Sequence, residues 1–308
     1  MVHAFCVVAA LVLAPFTATF IQLNDDNASW SAERWQASVA DADRLGIREV
    51  IVQWSMLDGV RFDRAVDAIV AAARDRGLRV TIGVAFDAQF WSALDRSDAD
   101  LGRHLDKVRE ASLELAREVN ARLGTDAPFA GWYLPQEIDD VHWTSPARRQ
   151  LLLDFVRQIA EGLVAVRRGD VTLSGFANGQ SAPNVYAAVW RDLARQGVTR
   201  VLFQDGVGAG KLAPESAAEY VAALTREVAG EHVAVQPVVE LFAGGNDSPF
   251  RAAPFERVRH QIDALRSVTA APLVAFAVLD YMSDASPEAA ALRDAYIAAY
   301  LSPQRQNR

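Results

Sequence analysis

Short runs rich in β-branched residues alternate with longer amphipathic stretches along this chain, and no other feature restricts its fold as strongly. Strands are expected at residues 19–23, 49–54, 79–85, 129–134, 171–176, 200–204, 233–239 and 273–279. Helical segments separate them, and a last one closes the chain at 287–301. The helical stretches carry their own boundary signals. Ser31 stands where an N-cap belongs, Trp35, Val39, Ala42 and Leu45 recur at three- and four-residue steps, and Gly46 stops the pattern. Gly77 and Gly197 sit where a left-handed C-terminal residue is wanted, with the next strand close behind, so the turns entering the strands are short. The turns leaving the strands are longer and rich in Asn, Asp, Trp and Gly, as at 24–30, 86–97, 136–145 and 242–253. Short loops at one end and working loops at the other point to an α/β fold of one (β/α)8 TIM barrel, placed at residues 19–301 and followed by a polar tail at 302–308.

A doubly wound open sheet also alternates β and α, but its phosphate-binding glycines follow the first strand. Here that strand runs into Gln22-Leu23-Asn24-Asp25-Asp26, without glycine. The one glycine-rich turn, Gly206-Val207-Gly208-Ala209-Gly210, lacks both the P-loop Lys-Ser/Thr pair and dinucleotide spacing, and reads as a flexible loop.

Charge and composition exclude further classes. With 31 Lys+Arg against 39 Asp+Glu the chain is acidic, which argues against a nucleic-acid partner. Only Lys107 and Lys211 are lysines, so Schiff-base chemistry is disfavoured, Lys211 lying in a loop predicted to be mobile. Cys6 is the only cysteine, and the histidines include no His-x-His pair at a strand end, so no metal or other cofactor is expected. Residues 1–18 begin with an uncharged apolar stretch of export-signal length, too short to span a bilayer. They read as a signal peptide, implying a periplasmic or secreted protein without stable membrane insertion, or as an apolar segment packed under a barrel that stays in the cytoplasm. Oligomeric state is not legible.

Every predicted strand brings a hydrogen-bonding residue to one rim. These are Gln22 and Asn24, Gln53 and Trp54, Asp87, Trp132, Gln136 and Glu137, Asn178, Gln204 and Asp205, Glu240, and Asp280 with Tyr281 on the eighth strand. Amides and carboxylates suit sugar hydroxyls, and Trp54, Trp91, Trp132 or Trp143 offer faces for sugar C–H groups, so a carbohydrate partner is expected. The rim lacks the basic residues a phosphosugar would require. Glu137 and Glu240 end the fourth and seventh strands, which face each other across an eight-stranded barrel. Two carboxyl groups so placed can run glycosyl transfer to water, one as acid and one as nucleophile or base. Asp205 competes for the second role. Asp280 fits substrate binding, and Asp139, Asp140 and His142 read as a solvated loop more readily than as a metal site.

The segments Thr19-Phe20-Ile21-Gln22, Trp35, Leu45-Gly46-Ile47, Ile51-Val52-Gln53-Trp54, Gly131-Trp132-Tyr133-Leu134-Pro135-Gln136-Glu137 and Phe203-Gln204-Asp205-Gly206-Val207-Gly208 resemble the glycoside-hydrolase-like TIM barrels catalogued as domain of unknown function 4434. The fourth-strand motif is also similar to that of the large retaining-glycosidase clan. That resemblance implies Glu137 as acid/base and Glu240 as nucleophile, although Gln136 stands where the clan usually carries Asn. The leading expectation is a retaining glycoside hydrolase acting on a bacterial polysaccharide or oligosaccharide. The alternative is a non-catalytic carbohydrate-binding barrel assisting exopolysaccharide export or modification.

Overall fold

The computed structural model describes residues 14–245 and 248–302; the export-signal expectation for residues 1–13 and the tail from 303 onward lie outside them. Eight parallel strands close into a barrel: β1 (Phe16–Ile21), β2 (Glu49–Val52), β3 (Arg79–Gly83), β4 (Phe129–Ile138), β5 (Asp170–Gly175), β6 (Arg200–Gln204), β7 (Ala234–Glu240) and β8 (Leu273–Phe276). Each pairs with its neighbours in sequence, and β1 closes the ring on β8 with Phe16 opposite Leu273 and Thr19 opposite Ala275. The principal helices around the barrel are α1 (Ala32–Arg44), α2 (Asp63–Asp75), α3 (Asp98–Leu123), α4 (Pro146–Val166), α5 (Pro183–Ala194), α6 (Pro214–Glu227), α7 (Phe255–Arg266) and α8 (Pro287–Tyr296), the last continued by a π-helical turn, Ile297–Leu301. None of the described helices is long and apolar enough to cross a membrane.

Local signals act as the sequence indicates. Ser31 accepts from the Arg34 N–H and caps α1, whose Trp35, Val39 and Ala42 are buried. Gly77 and Gly197 take positive φ, 67° and 98°, which lets the chain leave a helix and enter the next strand within a few residues. Most strand ends differ from expectation by one to four residues, and the differences at β1 and β8 have a visible cause or consequence. β1 starts at Phe16, three residues early, because Phe16 stacks on Tyr296 at 5.2 Å and its N–H donates to the Tyr296 hydroxyl. β8 ends at Phe276 and the chain coils into a helical turn, Val278–Tyr281, so Asp280 and Tyr281 stand on that turn and not on the eighth strand as expected.

Alternation along the strands builds the barrel interior in layers. At the N-terminal end, Glu49 accepts from Arg200 and from Thr81 Oγ1 at 2.7 Å, while Arg200 Nε donates to Gln236 Oε1 at 2.5 Å. This polar plug joins β2, β3, β6 and β7. Above it lies an apolar layer that includes Phe20, Ile51, Tyr133, Leu202, Val238 and Val274, all buried. The larger apolar core lies between the outer strand faces and the helices.

The plug buries an ion pair, so removing one partner strands the other. Arg200→Leu should lower the unfolding free energy by about 3–5 kcal/mol. Glu49→Leu combined with Arg200→Leu should recover part of that loss. Urea unfolding followed by tryptophan fluorescence reads both, and an Arg200→Leu midpoint equal to wild type would refute the clamp.

Candidate active site

The same alternation that places Arg200 and Leu202 inside places Gln204 inside at the C-terminal rim, and Gln236 and Val238 do the same for Glu240. On β4 the inward series is Tyr133, Pro135, Glu137. The pairing of β4 with β5 shifts register between Leu134 and Ile138, and Pro135, which has no N–H for a ladder, falls in that interruption. These side chains meet in a cavity of about 610 Å³ at the mouth of the barrel.

Gln22, Gln53, Glu137, Gln204 and Glu240 bring its polar groups, and the loops supply its walls. On one side Trp54 stacks on Phe86 at 5.4 Å and Trp91 lies 5.9 Å from Phe176. On the other, Phe242 of the hairpin Phe242–Gly245/Ser248–Ala252 packs 4.8 Å from Phe250, 6.1 Å from Phe276 and 5.5 Å from Tyr281. Trp54 is almost covered, its Nε1 donating to the Leu23 carbonyl at 2.7 Å, whereas Trp91 is 38% exposed and presents the more open indole. The Gln53 Oε1 atom is buried without a partner among the described residues.

The two glutamates occupy different electrostatic settings. Burial pushes the Glu137 carboxyl up to about 7, against a hydrogen bond donated by Gln204 Nε2 and the charge of Lys211, both of which favour ionisation; the charge of Glu240 adds to the rise. Near neutrality Glu137 therefore exchanges a proton readily. Glu240 is only 4% exposed and burial raises it too. It is opposed by the Ala209 N–H, which donates to Oε2 at 2.8 Å, and by Lys211.

Within the Gly206–Gly210 turn, Gly206 and Gly208 are buried against the site, while Ala209 and Gly210 are exposed. A Cβ on Gly208 would meet the Phe242 carbonyl at 2.5 Å and the Glu240 Cβ at 2.8 Å, so only glycine lets the turn close over the carboxylate.

Asp205 follows the inward Gln204 and so points outward, fully buried. Its carboxylate accepts from Gln261 Nε2 at 2.6 Å, the Val207 N–H at 3.1 Å and the Glu240 N–H at 3.4 Å. Burial first, then the charge of Glu240, pushes it up to about 8. Adjacent carboxyl groups do not both ionise easily, so Asp205 and Glu240 each hold the other toward its neutral form, and of the two only Glu240 faces the cavity. Asp205 braces the end of β7 and does not reach the cavity, so the sequence expectation of a substrate contact, or of a rival second carboxylate, is corrected.

Of the other rim residues expected to touch substrate, Gln22, Gln53, Trp54, Asn178, Gln204 and Tyr281 line the cavity. Five more do not. Trp132 and Gln136 alternate with Tyr133, Pro135 and Glu137 and face the helices: Trp132 is buried against Phe129 with Nε1 donating to the Arg167 carbonyl, and Gln136 Nε2 donates to the Ala85 carbonyl. Asn24 lies beyond the end of β1 and caps the short helix Asp25–Ala28. Asp87 accepts from the Gln89 N–H and lines a separate 400 Å³ cavity beside Met56 and Lys107. Asp280 sits on the exposed side of its helical turn. Trp143 is core.

The segment after β4 is not a solvated loop. Asp140 is buried and accepts from the Asn178, Gln180 and Ser181 N–H groups at 2.8–3.0 Å, tying the β4 and β5 loops together. Asp139 turns instead to His142, 2.5 Å from its Nδ1, so this trio does not converge on one point. Sequence reasoning did not assign Phe86, Phe176, Phe242, Phe250, His142 or Lys211 to the site. All lie on the long loops beyond the strands, which was the available signal.

The comparisons agree with this architecture. The chain is 28% identical over 259 residues to the uncharacterized protein YbcH of Escherichia coli (strain K12), covering 81% of this chain and 86% of that one. Its fold is similar to that of a Bacteroides thetaiotaomicron VPI-5482 protein provisionally named an alpha-L-fucosidase, with a TM-score of 0.76 at 17% identity and 98% of each chain covered. It is also similar to an endo-beta-1,4-mannanase from Thermotoga petrophila, with a TM-score of 0.62 at 13% identity, covering 95% of this chain and 78% of that one. What these likenesses share with the chain is the fold, a (β/α)8 TIM barrel. Residues 16–291 match one domain family across nearly the whole barrel, and the chain belongs to that family, described as Domain of unknown function (DUF4434).

Proposed function

We propose that this protein is a glycoside hydrolase acting on a bacterial polysaccharide or oligosaccharide, with Glu137 and Glu240 as its two reacting carboxyl groups. One observation carries the reading: glutamates from β4 and β7 line a single aromatic-walled cavity, and the one on β4 is held near its half-protonated point at neutral pH. Glycoside cleavage needs that pairing, an acid able to give up a proton beside a carboxylate that stays ionised. In the retaining course, Glu137 donates its proton to the glycosidic oxygen while a Glu240 oxygen bonds to the anomeric carbon and the bond to the leaving oxygen breaks. Water then attacks the same carbon, the ionised Glu137 takes its proton, and Glu240 departs as carboxylate. The Ala209 N–H holds Glu240 in place, and the aromatic walls offer stacking faces to the sugars on either side of the bond.

The decisive experiment is reducing-end release from a panel of bacterial polysaccharides. Wild type should turn over at least one, while Glu137→Gln and Glu240→Gln, folded to the same extent by circular dichroism, should each lose at least about a thousandfold in kcat. Proton NMR of the first-formed anomer should show retention; first-formed inversion would remove Glu240 from the nucleophile's role. No turnover by wild type on glycans that it binds would instead favour a carbohydrate-binding barrel.

The acid must be protonated to act, so kcat/KM should fall as pH rises past about 7. Gln204 donates to the charged form of Glu137, and its removal disfavours ionisation. Gln204→Leu should accordingly move the alkaline limb to higher pH. A limb that stays put or moves down would show that another group sets it.

A further inference from the structure

Lys211 is one of two lysines in a chain whose other 29 Lys+Arg residues are arginine. It stands on the loop after β6 and lines the cavity, its Nζ 3.3 Å from the centroid of the Phe176 ring. It forms no ion pair with a described residue, although most of the arginines do. The cavity's carboxyl groups have other partners: Gln204 donates to Glu137, the Ala209 N–H donates to Glu240, and Asp139 bonds to His142. What remains is an ammonium at the wall of a sugar-sized cavity, steadied by an aromatic face and with donors to spare.

We propose that Lys211 reads an acidic group on the substrate, so that the glycan is a uronic-acid or otherwise carboxylated polymer. The inference rests on the carbohydrate reading of the cavity. Nζ covers the Phe176 face, so a sugar would rest on the neighbouring, more open Trp91 indole, and a carboxylate on it turned toward Nζ would gain a charge-assisted hydrogen bond in a partly desolvated setting. Lysine suits the task as a compact point charge on a flexible stem that reaches past the ring.

The test is calorimetric, at pH 6, on the Glu137→Gln protein, so that binding is read without turnover. The probes are alginate, polyglucuronate and polygalacturonate oligosaccharides, each beside its carboxyl-reduced counterpart. At least one acidic member should bind about tenfold or more tightly than its reduced form, and adding Lys211→Gln should abolish that preference while leaving the reduced form's Kd within about twofold. Lys107→Gln, which removes the same charge outside this cavity, should leave the preference intact. Absence of an acid preference across the panel, or a preference that survives Lys211→Gln, would overturn the proposal.

If Lys211 served only to bias Glu137 and Glu240, Lys211→Gln would shift the pH profile of acidic and neutral substrates alike and leave the calorimetric preference unchanged. Acid-selective, Lys211-dependent binding with no turnover by wild type would keep this inference and defeat the hydrolase reading. Turnover of a neutral glycan with no acid preference would do the reverse.

Discussion

Two-residue alternation inside a closed ring of strands is the constraint on which the rest of this molecule depends. Closure leaves the barrel one interior, and the pleat decides which residues share it. The series Glu49-Ile51-Gln53, Arg200-Leu202-Gln204 and Gln236-Val238-Glu240 all place a polar group at the bottom, an apolar one in the middle and a polar one at the top. In the bottom layer Glu49, Thr81, Arg200 and Gln236 bond to one another. In the top layer Glu137, Gln204 and Glu240 face the cavity.

Burial gives the top layer its character. A carboxyl group above an apolar floor is held toward its neutral form, which is why Glu137 titrates near neutrality. Glu240 is buried as well, and what separates it from Glu137 is backbone. The turn after β6 lays the Ala209 N–H on its oxygen, and Asp205, one residue past the inward face, bonds the Glu240 N–H from behind. Gln261 and Arg257 of α7 donate to the Glu240 carbonyl, so an outer helix also fixes the end of β7. The position of one carboxylate thus depends on a strand, a glycine-rich turn and a helix that meet only when the barrel is closed.

The errors made from sequence follow the same rule. Trp132 and Gln136 lie beside Glu137 in the chain, and proximity suggested a shared role. Parity sends them to the opposite face, where Trp132 donates to the Arg167 carbonyl just past α4 and Gln136 satisfies a backbone carbonyl. Asp205 failed in the same way beside Gln204. Parity could have been applied to all three from sequence. The hairpin that brings Phe242 and Phe250 to the cavity, and the stacking of Lys211 on Phe176, could not, because these join loops from different strands.

The sequence by itself determined the number and order of strands and helices, the end of the barrel that carries the long loops, and the two glutamates that finish β4 and β7. These follow from local periodicity, caps and glycines, which act within a few residues. Tertiary structure alone decided which loop residues wall the cavity, how far burial raises its carboxyl groups, and that a glycine turn and a lysine stand beside Glu240 and Phe176. Those outcomes depend on desolvation and on contacts between distant loops, and neither exists until the ring has closed.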